Sequence, residues 1–240
     1  MSVEVEQKFV CDAGTRKTLE EIGAVCIGQR EFHDQYFDTP DFDLTLRDIW
    51  LRKRKDSWEL KCPTAAGKTE GTSGEQRVEA SPCSRYKEIT SLPEIKFKVK
   101  EVLKHCADGS INMDPLPDRL VMAERVNHEE QGGPEGFCAS WAGELNLLCF
   151  AEFTTARRSF TLEEEGVQID LDQADFGYSV GEIEVLVPDG QDVGSALEKI
   201  ERVALKLGLT RNLRVEGKMH VYLRRYCPEH YAKLQRAHIL

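Results

Sequence analysis

Apolar and charged residues alternate from the first positions of the chain. Successive side chains of an extended strand point to opposite faces, so across Ser2–Val10 the charges Glu4, Glu6 and Lys8 share one face and Val3, Val5 and Phe9 the other. The device recurs. In Trp50-Leu51-Arg52-Lys53-Arg54 the parity of Trp50 also carries Arg52 and Arg54, and in Trp58-Glu59-Leu60-Lys61 the cation Lys61 alternates with apolar Trp58 and Leu60. Tyr86 and Glu88 share a side. Val167, Ile169 and Leu171 are set against Gln168, Asp170 and Asp172, and Glu182 and Glu184 against Ile183, Val185 and Val187.

These segments predict strands over Ser2–Val10, Leu44–Lys55, Ser57–Pro63, Cys83–Thr90, Val167–Asp172 and Tyr178–Pro188. A long strand of mixed polarity, Val25–Thr39, is stopped by Pro40, and a strand-like run within Glu144–Leu162 leads into a hairpin turn at Glu163-Glu164-Glu165-Gly166. Helical spacing predicts helices over Asp12–Ala24, Pro93–Cys106 and Asp192–Leu207, then two short ones, Lys218–Tyr226 and Glu229–Arg236, divided by Pro228. Thr64–Ala80 and Asp108–Gly136 lack a period and read as loops, with Arg119–Val126 open to either strand or helix. No repeat or linker divides the chain, so a single domain over 1–240 is expected.

Antiparallel strands with short connections predict an α+β fold built on a barrel or strongly curved sheet. The amphipathic helices need an apolar surface to cover, and the apolar strand parities supply it. The usual barrel is then inverted, with helices outside and Glu4, Glu6, Lys8, Arg52, Arg54, Lys61, Glu88, Arg158, Asp170, Glu182 and Glu184 facing the lumen. Charges in such an interior are costly unless paired, hydrated or neutralised by a ligand. Interleaved cations and carboxylates suit a polyphosphate with its divalent metal: Arg and Lys bind phosphate oxygens, and carboxylates offer hard oxygens to Mg²⁺ or Mn²⁺.

A net charge of −10 disfavours a nucleic-acid binder but leaves room for a small anion held by a local cluster of cations. No apolar run approaches the ~20 residues that span a bilayer, and no signal-peptide core is visible, so a cytoplasmic location without membrane partners is expected. The eight cysteines form no close pairs and read as reduced, mostly core thiols; the six histidines show no ligand spacing.

The residues now in view carry a family resemblance. Glu4-Val5-Glu6-Gln7-Lys8, Tyr36-Phe37-Asp38-Thr39, Trp50-Leu51-Arg52-Lys53-Arg54, Trp58-Glu59-Leu60-Lys61-Cys62-Pro63, Tyr86-Lys87-Glu88 and Asp170-Leu171-Asp172 through Gly181-Glu182-Ile183-Glu184 resemble the successive motifs of the CYTH, or triphosphate tunnel metalloenzyme, superfamily. The match runs in order over most of the chain and weakens between about Asp108 and Phe150. The resemblance implies an eight-stranded antiparallel barrel with helices packed outside, and, from the branch it fits best, Mg²⁺-dependent hydrolysis of thiamine triphosphate by a monomer. Lys8, Arg52, Arg54, Lys61, Arg158 and Lys218 would grip the triphosphate, Arg157 being the alternative to Arg158. Glu4, Glu6, Asp170, Glu182 and Glu184, with Glu88 nearby, would bind metal or position the attacking water. Glu6 or Glu184 would orient or deprotonate that water, Lys61 or Lys218 would stabilise the departing diphosphate, and Trp50 would lie against the thiamine rings. An inorganic tripolyphosphatase on the same fold and a polyphosphate-binding module without turnover are the competing readings.

Overall fold

The computed structural model describes residues 2–64, 82–108, 141–188, 191–209 and 215–240. The alternating segments are strands: β1 (Ser2–Phe9), β2 (Val25–Asp38), β3 (Trp50–Arg54), β4 (Ser57–Pro63), β5 (Cys83–Ile89), β6 (Leu148–Leu162), β7 (Val167–Ala174) and β8 (Tyr178–Pro188). They form a closed antiparallel barrel in the order β1-β5-β4-β3-β2-β6-β7-β8, with β8 hydrogen-bonded back to β1. The register sets Lys8 opposite Glu182, Arg52 opposite Glu59, Lys61 opposite Glu88 and Arg157 opposite Asp172.

Outside the barrel lie α1 (Thr15–Glu21), α2 (Leu92–Asp108), α3 (Trp141–Glu144), α4 (Val193–Lys206), α5 (Lys218–Tyr226) and α6 (Pro228–Arg236). Two apolar cores join the first four of them to it. In one, Val5, Phe9, Phe160, Ile169, Ile183 and Val185 pack with Leu19 of α1 and with Ala196, Ile200 and Val203 of α4. In the other, Leu51, Leu60 and Ile89 pack with Ile95 and Val99 of α2 and Ala142 of α3. Burying one aliphatic side chain of this kind contributes about 1.5–3 kcal/mol. A one-residue slip of any strand would exchange its apolar and charged faces, so the outer cores fix which parity the lumen receives. Close packing adds a local constraint at Gly181, where a Cβ would stand 2.2 Å from the Phe9 ring.

Leu44–Lys55 departs from the expected single strand. Asp38 accepts from the backbone N–H groups of Leu44 (3.0 Å) and Thr45 (2.9 Å) and from the Thr45 hydroxyl (2.7 Å), tying this segment into a 3-10 turn at Thr45–Arg47. Asp48 then turns left-handed, with φ 60°, and the strand starts only at Trp50. The first helix is also shorter than expected, because Asp12 Oδ1 accepts from Gly14 N–H and the Thr15 hydroxyl ahead of it, and Gly23, at φ 86°, ends it. Asp192 caps α4 by accepting from the N–H groups of Gly194 and Ser195. The expected loop over Thr64–Ala80, and the Arg119–Val126 segment, fall almost entirely outside the described residues. Among those described, the cysteines are free thiols but not the core residues expected, since none is fully buried and Cys26 and Cys149 are exposed; no described helix is long and apolar enough to cross a membrane.

Candidate active site

The inward parities meet in a lumen crowded with opposite charges. From β1, Lys8 pairs with Glu6, which also accepts from Ser84 Oγ at 3.0 Å. Lys61 Nζ of β4 reaches Glu4 Oε2 at 2.5 Å. Arg52 of β3 donates through Nε to Glu59 at 2.5 Å and through its terminal nitrogen to Glu88 at 3.3 Å. Arg54 forms a two-pronged pair with Asp34, at 2.6 and 2.8 Å, its guanidinium 3.8 Å above the Phe32 ring. From β6, next to β2 and over the same Phe32 ring at 5.5 Å, Arg157 donates to Asp172 (2.6 Å twice), Asp170 (2.5 Å) and Glu182 (2.8 Å). Lys218, the first residue of α5, reaches in to Asp172 and to Glu182, the latter at 3.5 Å. Glu4, Glu6, Asp34, Asp170, Asp172 and Glu182 are all buried.

Desolvation opposes every one of these charges, and the neighbours decide each outcome. Burial works to raise Glu182, yet Lys218, Lys8, Arg157 and Lys61 overcome it and hold the carboxyl well below the usual range. Burial also opposes ionised Glu6, and Lys8 prevails, so Glu6 is lowered. For Glu4 burial wins over Lys61, with Glu6 adding repulsion, and its pKa is raised. Lys61 and Lys8 are raised against their own desolvation, Lys61 by Glu4 and Glu6, Lys8 by Glu6 and Glu182. Glu184 is raised as well: burial, then repulsion from Glu4 and Asp170, pushes it up to about 8.

The chain matches the CYTH domain model over residues 2–216. It belongs to the CYTH family. Among curated proteins it is 37% identical to the thiamine-triphosphatase of Homo sapiens and 36% identical to that of Macaca fascicularis, each match covering 97% of this chain and 89% of the relative. In fold it is similar to the PH1819 protein from Pyrococcus horikoshii OT3, with TM-score 0.50 and 17% identity over 92% of this chain and 98% of that one. A Hippeastrum protein, described as a candidate adenylyl cyclase that reveals a dominant triphosphatase activity, aligns with TM-score 0.51 and 15% identity over 94% and 96% of the two chains.

In this CYTH barrel, Glu4, Glu6, Lys8, Arg52, Arg54, Lys61, Glu88, Asp170, Glu182 and Glu184 stand on the charged inner parity as expected from the sequence, and Lys218 reaches the same lumen from α5. Trp50 shares that parity beside Lys61. Arg158 does not. Its guanidinium donates to Gln29 at 3.1 Å on the outer side of the β2–β6 ribbon, bordering a surface hollow with Arg16 and Cys26, while Arg157 enters the lumen. The alternative arginine is therefore the tunnel residue. Sequence reasoning also left Asp34, Glu59 and Asp172 out of the site. Alternation would have found each: Asp34 lies in step with Phe32 and Tyr36, Glu59 with Lys61, and Asp172 with Asp170.

The donor chemistry of the CYTH tunnel fits a hard divalent cation. Asp170 Oδ1 is buried and, among the described residues, has no hydrogen-bond partner, and Glu184 is raised to about 8 by burial first and then by repulsion from Glu4 and Asp170. Among the described residues no three carboxylate, histidine or cysteine side chains stand close enough together to hold a metal ion as arranged. The acids point at the lysines and arginines instead.

Proposed function

We propose that this chain hydrolyses thiamine triphosphate to thiamine diphosphate and phosphate in the barrel lumen, with Mg²⁺ as the divalent ion. The observation that carries the reading is the convergence of Lys8, Arg52, Arg54, Lys61, Arg157 and Lys218 on one lumen that holds more carboxylates than cations, Glu4, Glu6, Asp34, Asp170, Asp172 and Glu182 being buried there and Glu59, Glu88 and Glu184 half-buried. A pure anion binder gains nothing from the surplus acids. The resemblance to thiamine-triphosphatases over nearly the whole chain supports the choice of substrate. The same reading takes 1–240 as one catalytic domain, a monomer acting in the cytoplasm on a small molecule.

The cations would hold the triphosphate extended and draw negative charge off its oxygens. Glu4, Glu6, Asp170, Glu182 and Glu184, with Glu88 at the edge, are the residues that would hold Mg²⁺, which when bound supplies Lewis-acid stabilisation of the phosphoryl oxygens. Glu6 or Glu184 would orient a water and accept its proton as the oxygen attacks the terminal phosphorus. The bond from that phosphorus to the bridging oxygen breaks, and its electron pair leaves on thiamine diphosphate, whose new charge Lys61 and Lys218 face. Trp50 would lie against the cationic thiazolium ring.

Phosphate release measured with and without Mg²⁺ on thiamine triphosphate, inorganic tripolyphosphate and ATP tests the reading. Mg²⁺-dependent release favouring the thiamine ester is the expected result. Preference for tripolyphosphate overturns the substrate, and triphosphate binding without release from any of them overturns the enzyme.

A further inference from the structure

Phe32 is a buried phenylalanine that belongs to neither of the two apolar cores. It stands on the inner parity of β2, two residues before Asp34, and its ring meets charge instead. The guanidinium carbon of Arg54 lies 3.8 Å from the ring centroid and that of Arg157 lies 5.5 Å from it. The register accounts for both contacts. β2 runs between β3 and β6, with Asp34 opposite Arg54 on one side and Phe32 opposite Thr155 on the other. Arg54 and Arg157 are therefore diagonal neighbours of Phe32 on its two flanking strands, a separation of about 7–8 Å that long side chains close.

Two cations that share a neighbour repel one another, and both are held in place by acids: Arg54 by Asp34, and Arg157 by Asp172, Asp170 and Glu182. Each of those carboxylates occupies N–H donors of the arginine that it holds. The ring acts differently. The negative face of an aromatic ring attracts a cation without accepting a conventional hydrogen bond, so a guanidinium held over it keeps its donors for phosphate oxygens. We infer that Phe32 is a positioning residue, its ring a common platform that fixes the spacing of the Arg54 and Arg157 guanidinium groups in the tunnel wall while leaving their donors to the triphosphate. This rests on the reading that these arginines grip a triphosphate, and adds to it the side chain that spaces them.

Fluorinated phenylalanines incorporated in place of Phe32 test the platform, because each added fluorine weakens the negative face while the outline of the ring changes little. Across the mono-, di- and trifluoro derivatives, kcat/KM for thiamine triphosphate is expected to fall stepwise, by about 10-fold in all and mainly through KM, with little change in melting temperature. Calorimetric binding of inorganic tripolyphosphate should weaken in step, since the arginines meet the phosphates and not the organic part of the ester. Phe32→Leu, which removes the aromatic face, is expected to lose at least as much as the trifluoro derivative. A ring that only filled space would give a flat fluorine series, and that result, with wild-type enzyme active, overturns the role of Phe32 alone. Wild-type protein that neither binds tripolyphosphate nor turns over thiamine triphosphate overturns the reading of the lumen, and this inference with it.

Discussion

The Arg157 guanidinium grips both carboxylate oxygens of Asp172, at 2.6 Å each, and the same side chain continues to Asp170 and Glu182. One cation thus serves three buried acids. Arg157→Lys keeps a charge but loses the fork, and turnover of thiamine triphosphate is expected to drop about 100-fold, the scale of losing a preorganised charged donor. Arg157→Ala should also lower the melting temperature, since it leaves buried acids without their partner. Arg158→Ala, on the outer face, should stay within about 3-fold of wild type. Initial rates and melting curves on the three variants check this, and a large loss in Arg158→Ala would reverse the assignment.

Lys61 and Glu6 face the same lumen from different strands, Lys61 held by Glu4 and Glu6 held by Lys8. Lys61→Ala and Glu6→Gln are each expected to reduce kcat at least ~100-fold. Near-normal turnover in either would remove that residue from the chemistry.

Divalent metal should stabilise the fold by mass action. At a free Mg²⁺ concentration about 100 times the dissociation constant the gain is ~2.7 kcal/mol, several degrees in melting temperature for a chain of this size. Asp170→Asn, which alters the buried carboxylate with the unpartnered oxygen, should lose most of that gain. Equal Mg²⁺ shifts in wild type and variant would argue that the ion binds elsewhere.

His230 gives a pH dependence remote from the tunnel. It lies buried in α6, stacked on Phe42 at 3.7 Å with Nε2 2.8 Å from the Thr45 hydroxyl, which donates to Asp38. Burial, then Lys233, lowers its pKa from 6.5 to about 4. Below pH 6.5 the unfolded chain therefore takes a proton that the folded one refuses, and stability is lost as pH falls from about 6.5 to about 4. Asp38 acts in the opposite sense, because burial raises its pKa and the folded state takes up that proton first. Melting temperatures across this window should fall less steeply in His230→Gln than in wild type. Parallel profiles would exclude His230 as the source.

Gly181 tests the packing beneath the site. Gly181→Ala drives a methyl group into the Phe9 ring and should cost about 1–3 kcal/mol, read by denaturant unfolding. Gly181→Ala combined with Phe9→Leu should recover part of the loss.

The strands whose inner and outer parities differ sharply in polarity were legible in the sequence. Val3, Val5 and Phe9 against Glu4, Glu6 and Lys8 define an inside and an outside with few alternatives, and β7 and β8 do the same. β6 was harder because its apolar side changes parity along its length. Phe153 shares the parity of Arg157 and packs with Tyr36, Phe176 and Tyr222 at one end of the barrel, whereas Phe160 and Leu162 lie on the other parity in the outer core. No count of alternation within β6 could choose between two adjacent arginines. The turn before β3 was missed for another reason: it depends on Asp38, six and seven residues upstream, accepting hydrogen bonds that local propensity does not contain.

The paired lumen has a thermodynamic consequence. Because Lys8, Lys61, Arg52, Arg54, Arg157 and Lys218 are already engaged by carboxylates, the protein's own acids occupy the places that phosphate oxygens would take. Entry of a polyanion is then an ion exchange rather than the filling of a void, and each phosphate oxygen that captures a cation releases a carboxylate. The released carboxylates are free to take a divalent ion. By linkage, metal must then strengthen the hold on the polyanion by the same factor as the polyanion strengthens the hold on metal.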